Sequence, residues 1–463
     1  MENLDEETDK KTTILSDLLV QGSYEELTKI ILEMPTVEVC EFLNQQTEEK
    51  AFKVLELFPK EQQGTFLSGM DIESQLKLFR ILEKPVFAQL FSQMASDARA
   101  DFYQRLEKKE QGELLPFLQK KIRENVISLS SYPPDTAGGI MSTDFATIYI
   151  DMTAEEAMAK IREDAPSKKM IYYIYVVDHL QRMLGIVTIK ELIMANPKNK
   201  IEDTLQEFFV YSEVDDDRES VALKIEKYSL FAIPVLNPFK QLVGIVNHDD
   251  AIEILKAEQT EDMEKFMGIV PSEIGENYLT TSSFQHFKKR VFWIVSLAAI
   301  GMLSGIIIHQ YQNVLEQYII LAIYMPMMTA TGGNSGSQSA TLVIRALSLG
   351  EISSQDWLKI LFKETKISFM ISLCVAAVIY AKIYFLSFSA TTRNFDLSLI
   401  ALTISISLAL QVMTAALLGA GLPLIVKKFG GDPAVAASPA ITTAVDITGL
   451  LIYFTIATLL LNI

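Results

Sequence analysis

The chain has 463 residues, with 58 Asp and Glu against 41 Lys and Arg and a net charge of −17. Residues 1–290 hold 51 acids and 33 bases, whereas residues 291–463 hold 7 and 8, so an acidic, charge-rich half is joined to a neutral, apolar half. This balance argues against nucleic acid, whose phosphates need a basic patch, and against docking on anionic lipid, and leaves cations or basic partners as the expected company. Cys40 and Cys374 lie one in each half, which leaves no disulfide framework and no cysteine metal site. The opening Met-Glu-Asn-Leu-Asp-Glu-Glu lacks the basic and apolar parts of a cleaved signal, so the first half is expected to stay in the cytosol.

Residues 1–129 read as an N-terminal domain of short amphipathic helices. Apolar positions recur at helical spacing, as in Val39, Phe42, Leu43 and Phe87, Leu90, Phe91, Met94, and Pro35, Pro59 and Pro85 punctuate the units. Stacked helix pairs forming a small superhelix are expected. Asp97 and Asp101 are four apart and share one helix face.

A turn-rich connector, Ser130-Ser-Tyr-Pro-Pro-Asp-Thr-Ala-Gly-Gly139, opens an internal repeat spanning 130–250. The stretch from Ile174 to Glu191 aligns without gaps to that from Ile233 to Asp250, an offset of 59 residues. Each copy reads as a strand, a turn, a Gly-Ile-Val strand and a helix start, with an amphipathic helix before it. The pattern is a pair of β-α-β-β-α units and resembles a tandem CBS (Bateman) module. That resemblance implies an adenosine-ribose site at Thr188 and Glu191 in the first copy and at Asn247 and Asp250 in the second, although neither copy keeps the Ser/Thr-x-x-Asp form whole.

Residues 251–290 read as a connecting helix. Asp249, Asp250, Glu253, Glu258, Glu261, Asp262 and Glu264 run through an acidic stretch without the Gly and Ser of a flexible linker, so a continuous helix from 249 to 284 is expected. Five apolar spans follow, at 291–308, 318–347, 367–389, 397–426 and 434–461, giving an all-α membrane domain over 291–463. Lys288, Lys289 and Arg290, then Lys359, Lys363 and Lys366, then Lys427 and Lys428 mark one side of the membrane. By the positive-inside rule this places the N-terminus in the cytosol and the C-terminus outside. An odd span count cannot hold two inverted halves, which suggests a homodimer closing a symmetric path.

Two spans are chemically unusual. The second carries Pro326-Met-Met-Thr-Ala-Thr-Gly-Gly-Asn-Ser-Gly-Ser-Gln-Ser-Ala-Thr341, whose amides and hydroxyls lipid cannot satisfy. The fifth carries Ser438-Pro-Ala-Ile-Thr-Thr-Ala-Val-Asp446-Ile-Thr-Gly449. Asp446 is its one charged side chain, and an acid at membrane depth costs roughly 2.5–3.5 kcal/mol. Thr442 and Asp446 are i, i+4 and share a face; Arg345 and Lys382 are the available basic mates, neither well placed.

These motifs, with Asp432-Pro-Ala between them, resemble the MgtE family of magnesium channels, and the order of N domain, CBS pair, connecting helix and five spans matches across the chain. The resemblance implies a homodimer in the cell membrane with the second and fifth spans lining a twofold pore. It implies that Asp446 binds hydrated Mg²⁺, with Thr442, Ser438, Gly333, Asn334, Ser337 and Thr341 around the path. It further implies regulatory Mg²⁺ at acidic interfaces, best matched by Asp97, Asp101, Asp249, Asp250, Glu258, Glu261 and Asp262. The expected function is Mg²⁺ uptake through a channel shut by Mg²⁺ on the soluble domains. The alternatives are an ion-coupled carrier of Mg²⁺ or Co²⁺ and a membrane-bound CBS nucleotide sensor. An enzyme is not expected, for the chain has four His and no nucleophile–base spacing.

Overall fold

The computed structural model describes residues 2–164, 172–206, 210–272, 278–279, 281–386, 396–436 and 438–462. The chain divides into two compact units, Met1–Glu258 and Gln259–Ile463.

The first unit begins with a succession of short helices, from α1 (Glu2–Gln21) to α10 (Lys120–Leu129). Pro35 and Pro59 cap the helices that begin at Thr36 and Lys60, and Pro85 lies in the first turn of Lys84–Ser92, positions where a missing N–H costs nothing. Phe79, Phe87, Phe91 and Phe102 interlock in the core, with Phe79 and Phe87 edge to face at 5.1 Å. α8 (Ser96–Arg105) is the member that reaches the next domain. Its Ala100 packs in one apolar cluster with Met141, Val221, Ile225, Ala251 and Ile254. Ser96 fixes the same junction, its Oγ 2.9 Å from Ser142 Oγ and its N–H donating to Asp144 Oδ2 at 2.9 Å.

The expected repeat is present as two three-stranded sheets. β1 (Ala146–Tyr149) runs parallel to β2 (Tyr173–Val177), which pairs antiparallel with β3 (Met183–Thr188); β4 (Ser212–Glu213), β5 (Ala232–Leu236) and β6 (Leu242–Asn247) repeat the order. The likeness extends to irregularities. A register shift falls at Val176/Val177 and again at Val235/Leu236, and left-handed backbone at Gln181 (φ 63°) and again at Lys240 (φ 59°). Asp178 Oδ1 accepts from the Leu180 and Arg182 N–H groups as Asn237 Oδ1 accepts from those of Phe239 and Gln241. The same side-chain-closed turn therefore sets the hairpin register in both copies.

α15 (His248–Phe266) follows β6. The expectation of one helix from 249 to 284 is corrected. Gly268 takes φ +69°, and Pro271 disfavours helix at the residue before it, so residues 269–272 leave the helical path. Residues 273–277 and 280 lie outside the described chain.

The second unit contains α16 (Ser283–Gln310), α17 (Gln312–Gln317), α18 (Ile319–Ser348), α19 (Trp357–Leu386), α20 (Leu397–Lys428) and α21 (Ser438–Leu461). Among the described residues, four helices are long and apolar enough to cross a membrane: those at Ser283–Gln310, Ser354–Phe385, Leu397–Lys428 and Ser438–Leu461. α18 has 30 residues but falls short in apolarity, because glycines, amides and hydroxyls occupy its centre. The third span was expected from 367; α19 starts ten residues earlier, its basic first turns helical, while its expected end at 389 lies outside the described residues. The fifth was expected from 434. Pro433–Val435 instead forms a separate 3₁₀ turn, capped by Asp432 Oδ1 on the Ala434 N–H at 2.9 Å.

Candidate functional site

α18 and α21 meet along the motif residues. A Cβ at Gly333 would lie 2.9 Å from Thr442 Cγ2, and one at Gly332 would lie 2.9 Å from Val445 Cγ1, so each glycine admits a side chain of the facing helix. Ser337 Oγ and Ser438 Oγ are 2.8 Å apart and hydrogen-bond across the contact. α20 packs behind α18: Ser335 Oγ donates to the Val412 carbonyl at 3.2 Å, and a Cβ at Gly419 would run into the Gly336 carbonyl oxygen.

The structure thus brings together Gly333 and Thr442, and Ser337 and Ser438. Thr442 and Thr341 donate their hydroxyl protons to the carbonyls of Ser438 and Ser337 one turn back, at 3.0 and 2.8 Å. Asn334 and Thr341 lie on the exposed side of α18. Asp446 is half-buried on α21, one turn after Thr442, and its Oδ1 is buried with no hydrogen-bond partner. Neither basic residue considered for it is drawn in: Lys382 donates to Tyr324 Oη at 2.8 Å, and Arg345 is exposed near the end of α18.

A second acid is buried in this unit. Glu364 on α19 is 7% exposed, and its Oε2 accepts from Ser339 Oγ of α18 at 2.7 Å. Sequence reasoning missed it by starting the span at 367. The available signal was the i, i+4, i+8 series Glu364, Ser368, Ser372, all buried.

In the first unit the acids converge at the α8–α15 contact. Ala100 and Ala251 are buried in one cluster, and Asp97, Asp101, Asp249, Asp250 and Glu253 surround them in sequence. Burial, then the charges of Asp97 and Asp249, push the Asp250 carboxyl up to about 7. Burial and the Asp97 charge push Asp101 up to about 6; by surface area Asp101 is exposed, so solvent screens part of that push. Glu258 is held by Arg218, Nε to Oε1 at 2.6 Å, a partner not expected from sequence.

In the second unit, the end of α15 carries another acidic group. Lys265 Nζ bridges Glu261 Oε1 at 2.6 Å and Asp432 Oδ2 at 2.7 Å, while Ser348 Oγ donates to Asp262 Oδ2 at 3.1 Å. Burial draws the Lys265 ammonium down, but its bonds to Asp432 and Glu261 outweigh that and hold its pKa above the ordinary value. Asp262 is raised, mainly by burial. Among the described residues no three His, Cys, Asp or Glu side chains are grouped so as to hold a bare metal ion.

The proposed ribose positions differ between copies. Thr188 and Glu191 close a capping box, Thr188 Oγ1 donating to Glu191 Oε2 at 2.8 Å, and Gln206 Nε2 takes the other oxygen. In the second copy Asn247 Nδ2 donates to Asp250 Oδ2 at 3.1 Å, and Asn247 Oδ1 is buried without a partner.

Residues 325–456 match a family described as a divalent cation transporter, MgtE; residues 34–135 match its intracellular N domain, and residues 137–198 a CBS domain. The magnesium transporter MgtE of Thermus thermophilus is 35% identical over 75% of this chain and 75% of its own length. That of Bacillus subtilis is 33% identical over 71% of this chain and 70% of its own. A solved structure of the soluble part of a magnesium transporter aligns with TM-score 0.51 at 25% identity, covering 54% of this chain and 99% of that one.

Proposed function

This chain belongs to the MgtE family of divalent cation transporters, and from that premise we propose that it is a Mg²⁺-selective channel for uptake, shut by Mg²⁺ bound to its own acidic domains. The observation that carries the reading is Asp446. It is a half-buried acid on a membrane helix, no cation among the described residues neutralises it, and one of its oxygens has no partner. A charge so placed is retained for an ion.

Mg²⁺ sheds water reluctantly and keeps several waters in most protein sites, so a wide polar wall suits it better than a tight cage. Thr442, Ser438, Ser337, Asn334 and Thr341, with the backbone around Gly333, supply hydroxyl, amide and carbonyl groups for those waters, and Asp446 supplies the charge. In a homodimer a second Asp446 faces the first across the twofold axis. The N-terminus is cytosolic and the C-terminus outside, so the acidic domains face the internal Mg²⁺; a membrane potential negative inside drives the cation inward.

Regulation is proposed at the acids. Mg²⁺ between Asp97, Asp101, Asp249 and Asp250 relieves their mutual repulsion and tightens the α8–α15 contact. At Glu261 and Asp262 an entering Mg²⁺ competes with Lys265, the internal cation of that group. Glu258 joins only by giving up Arg218. An adenine nucleotide suits the second CBS copy, where Asn247 keeps an unsatisfied oxygen, better than the first, where Glu191 is fully engaged.

The test is divalent flux into vesicles reconstituted with the full chain. Asp446→Asn is expected to abolish Mg²⁺ entry while the dimer persists; uptake at the normal rate in that variant sinks the assignment. Flux that follows a proton or sodium gradient replaces the channel with a carrier.

A further inference from the structure

Gln411 sits in the middle of α20, 1% exposed, and neither its Nε2 nor its Oε1 has a hydrogen-bond partner. A buried amide left unsatisfied costs about 1–3 kcal/mol, and an aliphatic side chain of the same length would avoid that cost. Its surroundings are specific. A Cβ at Gly332 on α18 would collide with the Gln411 amide nitrogen and lie 2.9 Å from Cδ. A Cβ at Gly449 on α21 would collide with the same nitrogen and lie 2.5 Å from Cδ and 3.0 Å from Oε1. One amide therefore fills two glycine notches on two helices.

Both notches adjoin Asp446. Gly332 packs on Val445, the residue before it, and Gly449 follows it by less than one turn, a rise of about 4.5 Å. The bond from Ser335 Oγ to the Val412 carbonyl pins α20 against α18 at the next residue, so the amide is held in place. Two orphaned polar groups, the Gln411 amide and Asp446 Oδ1, thus belong to the same stretch of α21, which Gln411 meets at Gly449, and lipid offers neither a bond. Water has the chemistry both need, since it donates to a carboxylate and both donates to and accepts from an amide.

We propose that Gln411 is a positioning residue for cation selectivity: its amide spaces α18 from α21 beside Asp446 and orders the water through which that carboxylate meets a hydrated divalent cation. This rests on the Asp446 path proposed above. A carboxylate alone attracts every divalent cation. A fixed amide adds discrimination because its donors and acceptor fit some hydration geometries better than others.

Gln411→Met keeps the bulk in the notch and removes the hydrogen bonding. In full-length protein in vesicles, it is expected to accumulate as the wild type does, with Mg²⁺ flux down about tenfold, the value of one lost hydrogen bond, and the Mg²⁺-to-Ca²⁺ flux ratio reduced. Wild-type flux and ratio in that variant overturn the proposal. Packing is separated from water ordering by a second pair. Gly449→Ala alone obstructs the notch and lowers the amount of assembled protein; Gly449→Ala with Gln411→Ala restores assembly but not the flux ratio. Recovery of the ratio together with assembly shows a purely steric role and also overturns the proposal. If the Met variant does not accumulate, this pair decides. Asp446→Asn measured alongside keeps the two readings apart. Loss of flux there leaves the path standing whatever Gln411 does, and normal flux removes both.

Discussion

Acids in the two halves of this chain are held in opposite ways. In the first unit Asp97, Asp101, Asp249, Asp250 and Glu253 crowd around one helix contact, and burial and like charge together push two of them far above the usual carboxylate range. In the membrane half Asp446 and Glu364 stand singly, one with an unpartnered oxygen and the other bonded to a serine hydroxyl. A crowd of acids stores repulsion that any cation or proton releases, so it reports concentration. A lone acid in an apolar setting stores no repulsion and must be met by dipoles or by the waters of a passing ion. The first arrangement suits sensing and the second conduction.

The membrane arrangement depends on close backbones, and there the largest change in stability is expected. At Gly419 the obstruction for a Cβ is the Gly336 carbonyl oxygen, with Gly336 Cα at 3.0 Å, and main chain cannot rotate away. Gly419→Ala is expected to cost about 3 kcal/mol, the upper end for overpacking, read as a lower melting temperature and less assembled protein. Wild-type melting would show that α18 and α20 are not packed this closely.

Glu364 comes next. Glu364→Ala strands the Ser339 hydroxyl in a buried place and is expected to cost about 1–3 kcal/mol in thermal unfolding, whereas Glu364→Gln keeps an acceptor and costs less. Equal losses in both variants would mean that the charge, not the bond, is what the fold uses at this position. The same pair sharpens the contrast with Asp446, for which the neutral isostere is expected to spare the fold and remove the flux.

Most of the architecture was legible in sequence. The gapless match of Ile174–Glu191 to Ile233–Asp250 carried the two sheets, because strand period and turn chemistry are local. The residues proposed for the pore stand out in sequence because polar groups inside an apolar run are conspicuous. What escaped depended on partners distant in the chain. Nothing local to Glu258 points to Arg218 forty residues away, or local to Lys265 to Asp432, and Gln411 reads as one more polar residue until Gly332 and Gly449 close on it. The end of α15 was misjudged for a different reason: its acidic run continues the helical pattern, while Gly268 and Pro271 break it.

The crowd of acids is tested by relieving it. Asp250→Asn removes the carboxyl with the highest push and one charge facing Asp97 and Asp249. The metal-free protein is expected to be more stable than wild type at pH 8, and inhibition by internal Mg²⁺ to need about tenfold more ion, the equivalent of one pKa unit or 1.36 kcal/mol. Unchanged inhibition in vesicle flux would separate Asp250 from the sensor.

The smallest effect expected is that of pH. Asp101 and Asp250 have folded values of about 6 and 7 against an ordinary 3.8, so between these limits the folded chain holds protons that the unfolded chain has released. Their contribution to stability is full below about 4 and is lost as pH rises through 6 and then 7, the reverse of a salt-bridged acid. Without Mg²⁺, the first unit is therefore expected to be better protected from trypsin at pH 5.5 than at pH 8. Mg²⁺ needs the charged carboxylates, so the protection it adds runs the other way and grows with pH across that window. Because Asp101 is exposed, Asp250 sets most of the response, and Asp250→Asn is expected to flatten it. A wild-type chain whose protection is the same at both pH values without Mg²⁺ would mean that these acids are not in competition, and that the two halves of the molecule hold charge alike.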